Sequence, residues 1–261
     1  MGYCQISEAK IGIVIPARLG STRLPRKPLL QFFGLEMIEH VRRRCVLVLN
    51  EKLVAVSSPD LEILTLIDSY GGFTHKSQAS HQNGLSRAAE FSSQVDWSHF
   101  IIVQGDEILV LPEQIRTLID FIKENPNTDF VNLISPINQE TEIHDPSIVK
   151  CSLRNDDTVI DVFRKSPLTC EVNLQISILK KITGLFAISA RTLNLYRSTN
   201  AGVIERQESI EQMRLIESGI SIKALVSKLN YPSVNVPEDI DRVNYVLEND
   251  LNQKTCLLTI I

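Results

Sequence analysis

The segment IGIVIPARLGSTRLPRKPL, residues 11–29, joins a short apolar run to a loop rich in positive charge. Its first six residues are almost entirely apolar, which predicts a buried β-strand over residues 11–16. The loop that follows, residues 17–29 and here called the cationic loop, contains Arg18, Arg23, Arg26 and Lys27. Like charges held this close repel one another, so the cationic loop is expected to bind an anion.

A second apolar run, HFIIVQ at residues 99–104, opens into Gly105, Asp106 and Glu107. In open α/β sheets, ligands bind in the crevice beyond the carboxyl ends of the strands. Both charged loops follow such an end, and we therefore expect them to face one crevice. A cationic loop opposite an acidic one predicts a polyphosphate site that is bridged by a metal ion.

Strand-like runs alternate with helix-like patterns through the first half of the chain. The predicted strands are 11–16, 52–56, 99–104 and 129–135, and the predicted helices are 36–46, 59–70, 85–95 and 112–124. Such alternation indicates a mostly parallel sheet that is covered by helices on both faces. The expected fold class is therefore a three-layer α/β/α sandwich.

After about residue 140 the pattern changes, which predicts a smaller layer added to the sheet. The predicted elements there are strands at 147–153 and 158–163, a charged loop at 164–181, a strand at 184–190, a helix at 207–219, a strand at 220–226 and a helix at 237–250. We expect three parts: a nucleotide-binding core (1–140), an added layer (141–220) and a C-terminal part that rejoins the core (221–261). The tail at 251–261 could pack on the core or on a partner.

The composition is typical of a soluble globular enzyme, since 43% of the 261 residues are hydrophobic and 22% are charged. The net charge of -4 argues against a general nucleic-acid binder, which needs a basic face. The five cysteines show no metal-binding spacing and are expected to be reduced thiols. No signal peptide and no membrane span is recognised, so we expect a cytoplasmic protein with no membrane partner.

Two common phosphate-binding motifs are absent from the sequence. There is no G-x-x-x-x-G-K-[ST], and no G-x-G-x-x-G follows the first strand. This disfavours P-loop hydrolases and dinucleotide-dependent oxidoreductases. Phosphates would instead be held by the cationic loop and its backbone amides.

Six segments, taken together and in order, resemble the 3-deoxy-D-manno-octulosonate (Kdo) cytidylyltransferases, also called CMP-Kdo synthetases. They are IPARLGSTRLPRKPL (15–29), SHQNGLSR (80–87), VQGDE (103–107), DPSIVK (145–150), ESIEQMR (208–214) and VPEDIDRV (236–243). The resemblance implies a nucleotide-diphospho-sugar transferase-like sandwich, with the added β layer forming the interface of a homodimer. It also implies Mg²⁺-dependent transfer of CMP from CTP to the anomeric hydroxyl of Kdo or a related 2-keto sugar acid, with release of pyrophosphate, in surface polysaccharide or lipopolysaccharide biosynthesis.

The family's pattern also implies roles for individual residues. The catalytic residues would be Arg18, Lys27 and Asp106, and the nucleotide would be bound by Arg18, Ser21, Arg23, Lys27, Gln78, Asn83, Gly84 and Asp106. The sugar would be bound by Gln104, Lys150, Phe186, Glu211 and Gln212, with Glu211 and Gln212 on a helix. Asp106 and Asn235 would hold the metal ion.

The sequence departs from the family's pattern at several places. A metal-binding aspartate of the family's V-D-T-P-E-D segment is Asn235 here, and a neutral oxygen attracts Mg²⁺ less strongly than a carboxylate. The base-reading segment T-R-x-D-H-x-S-G is SQASHQNG at 77–84, without the arginine and the aspartate. On the sugar side, H-x-G-x-Y is ITGLF at 182–186.

These departures leave two alternatives open beside the cytidylyltransferase. One is a nucleotide- or sugar-binding paralogue that has kept the fold and lost catalysis. The other is a nucleotidyltransferase that uses a different base. In either case the acceptor could be a modified or different acidic sugar.

Overall fold

The computed structural model describes residues 10–20 and 23–261. The strands of these residues are β1 (Ile11–Pro16), β2 (Gln31–Phe32), β3 (Leu35–Glu36), β4 (Val54–Ser58), β5 (Phe73–Lys76), β6 (His99–Val103), β7 (Phe130–Pro136), β8 (Lys150–Leu153), β9 (Val159–Phe163), β10 (Lys180–Ser189) and β11 (Lys223–Val226). The helices are α1 (Met37–Val46), α2 (Leu61–Ser69), α3 (Gly84–Ser92), α4 (Pro112–Glu124), α5 (Glu140–His144), α6 (Val172–Ile178), α7 (Ala190–Ser198), α8 (Val203–Glu208), α9 (Met213–Glu217), α10 (Asp239–Asn249) and α11 (Leu251–Ile260).

A mostly parallel sheet forms the centre of the molecule, with strand order β11-β7-β10-β6-β1-β4-β5. β1 is parallel to β4 and β6, whereas β10 is antiparallel to both β6 and β7. β8 pairs with one end of β10 and with β9, so these two strands form a hairpin beside the main path. The predicted α/β class with a mostly parallel sheet is confirmed.

Strand β1 is buried on both faces, which explains its nearly continuous apolar sequence. Ile13 and Ile15 pack in one hydrophobic cluster with α1, α2 and α4. Val14 points to the opposite face, where it joins a cluster that includes α3 and α7. Because β1 and β6 are neighbours, the loops after their carboxyl ends meet at the same edge of the sheet.

A smaller hydrophobic cluster lies beneath these loops. It joins residues from the cationic loop, from the loop after β6, from the segment before α10 and from the two last helices: Leu24, Ile108, Leu109, Val234, Val243, Leu247 and Leu257. The tail at 251–261, whose packing the sequence left undecided, forms α11 up to Ile260, and Leu257 places it against this cluster.

Sequence-based predictions differ from the structure at several places. The single helix predicted at 207–219 is broken into α8 and α9, and Ser209 between them has a left-handed backbone (φ 53°). The predicted charged loop at 164–181 contains the helix α6. Strand β5 was missed because its sequence, FTHK, is short and half polar.

The proposed division into three parts stays a prediction. β10, from the middle part, lies between two strands of the first part in the central sheet. The added segment is therefore joined to the core through the sheet itself.

We expect the protein to lose stability as the pH falls from 6.5 to 4, because of His40. This side chain is fully buried, its Nε2 donates to the carbonyl oxygen of Phe32 at 2.7 Å, and its Nδ1 has no hydrogen-bond partner within residues 10–20 and 23–261. Burial lowers the pKa of His40 from 6.5 to about 4. Between pH 6.5 and 4 this histidine is protonated in the unfolded chain but largely neutral in the native protein. The free energy of unfolding therefore falls by on the order of 3 kcal/mol by pH 4.

Urea unfolding at several pH values measures this effect. The variant His40→Gln should flatten the dependence between pH 4 and 6.5, whereas His144→Gln, whose side chain is 65% exposed, should leave it unchanged. An identical pH dependence in the wild type and His40→Gln would contradict the assignment.

Candidate active site

Lys27 and Asp106, which the sequence places 79 residues apart, are in direct contact. Lys27 Nζ donates to Asp106 Oδ2 at 2.6 Å and to the carbonyl oxygen of Val234 at 2.9 Å. The two charged side chains are 15% and 29% exposed, so solvent reaches the pair. The three segments predicted to form one site therefore meet at a single ammonium group.

The position of Lys27 is set by a tight turn at the end of the cationic loop. Lys27–Leu29 is one turn of 3-10 helix, preceded by Arg26 in a left-handed conformation (φ 56°). The amide of Leu29 donates to the Arg26 carbonyl, and Pro28 is buried beneath the turn. This packing fixes the backbone of Lys27 while its side chain reaches across to the loop after β6.

The other cations of the loop are distributed differently. Arg18 and Arg23 are exposed, whereas Arg26 points away to an exposed ion pair with Glu62. The amide of Leu19 donates to Asp60 Oδ2 at 2.7 Å, which ties the loop to the end of β4. Ser21, predicted to bind the nucleotide, lies outside the described residues.

The loop that joins β6 to α4, residues 104–111, is here called the acidic loop, and Glu107 holds it in place. Glu107 Oε1 accepts the amide of Gly184 at 3.0 Å. A Cβ at residue 184 would lie 2.6 Å from that oxygen, so the close approach needs a glycine. Burial and the neighbouring Asp106 raise the pKa of Glu107 to about 7.

Hydrogen bonds connect residues of the predicted sugar site to the start of α3, where the predicted nucleotide-binding residue Gly84 lies. Gln104 Nε2 donates to Glu211 Oε1 at 3.0 Å, and the amide of Leu85 in the first turn of α3 donates to Glu211 Oε2 at 3.0 Å. The side chain of Gln104 also lies against Gly84. A Cβ at residue 84 would be 2.9 Å from Gln104 Nε2. Burial raises the pKa of Glu211.

Asn83 caps α3 and is held by buried groups. Its Oδ1 accepts the amide of Ser86 at 2.9 Å, and its Nδ2 donates to the Tyr196 hydroxyl at 2.8 Å. The Tyr196 hydroxyl donates to Glu205 at 3.2 Å, and Arg214 binds Glu205 through two nitrogen atoms at 2.7 Å each. Both polar atoms of the Asn83 side chain are therefore engaged within the protein, and its role in binding a nucleotide stays a prediction.

Three of the predicted sugar-binding residues are buried away from the crevice. Phe186 has no exposed surface and stacks on Phe130 with ring centroids 5.1 Å apart, and its assignment to the sugar site stays a prediction. Lys150 is also fully buried, and its ammonium donates to the carbonyl oxygens of Asp145 and Arg164. Gln212 is 7% exposed.

Two further predicted residues lie at the surface of the site. Gln78 is exposed in the loop before α3, and its backbone amide donates to Glu90 at 3.0 Å. Asn235 follows Val234, the residue whose carbonyl contacts Lys27, and its own amide donates to Asp239 Oδ2 at 2.7 Å. Glu211 and Gln212, predicted to be helical, lie in the turn between α8 and α9.

The chemistry of the donor set is compatible with Mg²⁺ held partly by a substrate. The described residues contain no group of three His, Cys, Asp or Glu side chains that could hold a metal alone. Mg²⁺ is commonly bound by one or two carboxylates together with phosphate oxygens and waters. Asp106, with the amide oxygen of Asn235 on a segment that shares the Lys27 contact, supplies a donor set of that kind.

Several positioning residues were missed by reasoning from sequence alone. They are Asp60, Tyr196, Glu205 and Arg214. A signal was available for Asp60, which follows the carboxyl end of β4 as Asp106 follows that of β6. Tyr196 and Glu205 contact Asn83 from 113 and 122 residues further along the chain, and Arg214 acts through Glu205, so no local pattern reveals them.

Comparison with known proteins shows close relatives over nearly the whole chain. The profile of the family described as Cytidylyltransferase matches residues 12–224. A 3-deoxy-manno-octulosonate cytidylyltransferase of Chlorobium limicola is 34% identical over 240 residues, covering 90% of this chain and 96% of the relative. The enzyme of the same name from Escherichia coli is 30% identical, covering 93% and 98%.

A solved structure shows the same similarity in three dimensions. It is a CMP:2-keto-3-deoxy-manno-octonic acid synthetase complexed with CTP. It superposes with a TM-score of 0.84 at 29% identity, over 93% of this chain and 100% of that one.

Proposed function

The chain belongs to the 3-deoxy-manno-octulosonate cytidylyltransferase family, and from this premise we propose that it transfers CMP from CTP to the anomeric hydroxyl of Kdo or a related 2-keto sugar acid. The observation that carries the proposal is the contact of Lys27 with both Asp106 and Val234. It brings the cationic loop, the acidic loop and the segment with Asn235 together, which is what binding one triphosphate between them requires.

In the proposed reaction, the sugar hydroxyl attacks the α-phosphorus, a new O–P bond forms, the hydroxyl proton is lost and pyrophosphate leaves. Arg18 and Arg23, both exposed on the cationic loop, bind the triphosphate. Lys27 moves from Asp106 toward the phosphate oxygens and stabilises the charge that develops on pyrophosphate. A compact ammonium on a flexible stem suits such a change of partner.

Mg²⁺ is proposed as the cofactor, with Asp106 and Asn235 as its protein ligands. When bound, it neutralises charge on the phosphates and lowers the pKa of the attacking hydroxyl. To hold the ion, Asp106 would give up its contact with Lys27. Both side chains are partly exposed, so the pair can separate. Gln104 of the acidic loop donates to Glu211, which also accepts an amide from the first turn of α3, and the two side chains are proposed to bind the sugar hydroxyl groups.

We also propose a homodimer, with the hairpin β8–β9 and α6 in the interface. Three large apolar side chains of these elements are exposed, Ile160 (56%), Leu174 (51%) and Ile178 (46%). A second copy of the chain that covered them would remove this apolar surface from water. A cytoplasmic location and a role in lipopolysaccharide biosynthesis are proposed with the substrate; within the described residues, no helix is long and apolar enough to cross a membrane.

The test is an assay of pyrophosphate release from CTP with purified protein, Mg²⁺ and a panel of 2-keto sugar acids that includes Kdo. Turnover with at least one acid is expected. CTP binding without turnover for any acid would instead identify a binding paralogue, and turnover with another nucleoside triphosphate would reassign the base.

Asn235→Asp is expected to lower the Mg²⁺ concentration needed for half-maximal turnover by about tenfold. A second carboxylate beside the site adds a charged oxygen ligand for a hard cation. Titration of activity with Mg²⁺ measures the change. Asn249→Asp, at the exposed C-terminal end of α10, is the matched control, and an unchanged requirement in Asn235→Asp would place residue 235 away from the metal.

A further inference from the structure

Helix α11 is tied to the acidic loop by two fully buried side chains. Gln253 Nε2 donates to the carbonyl oxygen of Leu109 at 2.6 Å, and Gln253 Oε1 accepts from Arg44 Nη1 at 2.8 Å. Arg44 Nη1 also donates to the carbonyl oxygen of Val110 at 3.0 Å. The two carbonyls held in this way follow Asp106 by three and four residues.

The same helix is tied to the segment that carries Asn235. Asp250 caps α11 by accepting the amide of Gln253 at 2.9 Å, and it also accepts the Tyr231 hydroxyl at 3.0 Å. Leu257 packs in the small cluster that contains Val234. α11 therefore holds both partners of Lys27, the acidic loop on one side and the 231–236 segment on the other.

The polar contacts of α11 are unusual for a helix whose only role is to pack on the hydrophobic core. Arg44 is fully buried and, among the residues that the structure describes, has no carboxylate partner and no hydrogen bond at Nε or Nη2. A buried charge with unmet donors is costly, so a simple packing role would be met better by apolar side chains. The arrangement instead fixes two backbone carbonyls of the acidic loop at defined positions.

We propose that α11 sets the separation between the acidic loop and the 231–236 segment, with Gln253 as its principal positioning residue. This inference rests on the proposed function for its catalytic consequence. α11 lies beyond residue 224, where the match to the cytidylyltransferase profile ends.

Gln253→Met tests the proposal, because methionine keeps the length of the side chain and removes both hydrogen bonds. We expect kcat to fall at least tenfold while KM for CTP changes less than threefold, because the phosphate-binding arginines are untouched and only the positioning for reaction is lost. Lys254→Met, the same substitution at the exposed neighbouring position, should retain kcat within twofold. A lowered melting temperature in Gln253→Met with wild-type kcat would overturn the proposal.

Hydrogen exchange on the wild-type protein tests the same idea without substrate or variants. If α11 holds the two segments, its buried amides and those of residues 107–111 should open together, with the same dependence on low concentrations of denaturant. Separate opening of α11, with the acidic loop still protected, would contradict the proposal. This result does not depend on turnover, so failure of the positioning role is distinguished from failure of the proposed activity.

Discussion

Asp106→Asn is expected to lower kcat for nucleotide transfer about a thousandfold, equivalent to about 4 kcal/mol of transition-state stabilisation. The substitution keeps the shape of the side chain and removes the carboxylate that contacts Lys27 at 2.6 Å. Without this charge the proposed metal ligands are neutral oxygens, which attract Mg²⁺ less strongly, and Lys27 loses the group that holds it in place before the nucleotide binds. Because Asp106 is 29% exposed, the amide can be solvated and the melting temperature should change little.

The control for this prediction is Asp120→Asn on α4. Asp120 has its own lysine partner, Lys123 at 4.0 Å, but both side chains are more than 60% exposed and lie in a surface pair. It should retain full activity. Wild-type kcat in Asp106→Asn would remove Asp106 from the catalytic machinery, and loss of folding would be detected by circular dichroism.

The central part of the fold could be predicted from sequence because burial dictates it directly. β1, buried on both faces, requires the apolar run at 11–16, and the regular alternation with helices specifies a parallel sheet. The strand FTHK and the break at Ser209 could not be predicted in this way. The strand FTHK is stabilised by its pairing with β4, although its own sequence is not typical of a strand. The break at Ser209 comes from one residue with a left-handed backbone inside a sequence that otherwise favours a helix.

The meeting of Lys27 with Asp106 was predictable because strand order follows from topology and both loops leave the same edge of the sheet. The family resemblance, now confirmed, supplied the remaining candidates by position. It could not show which side chains turn inward. Phe186 and Lys150 lie on strands next to the site, but their burial depends on packing between distant segments, and the sequence alone does not reveal it.

Lys27→Met is expected to reduce kcat/KM about a thousandfold, mainly through kcat. Methionine retains the apolar stem and removes the ammonium, so Asp106 loses its charge partner and the Val234 carbonyl loses a donor at 2.9 Å. In the reaction, the same ammonium would face the leaving pyrophosphate, where a preorganised charge stabilises the transition state. Lys123→Met, at an exposed position, should leave kcat/KM unchanged.

The double variant Lys27→Met/Asp106→Asn separates a coupled pair from two independent contributions. If the two groups act on the same triphosphate, the loss in the double variant should be much smaller than the product of the single losses, because residues that work as a unit are not additive. The exposed pair Asp120 and Lys123 supplies the matched cycle, with an interaction energy near zero. If the loss in the double variant instead equals the product of the two single losses, Lys27 and Asp106 contribute independently to catalysis, and their contact in the free protein does not couple them in the reaction.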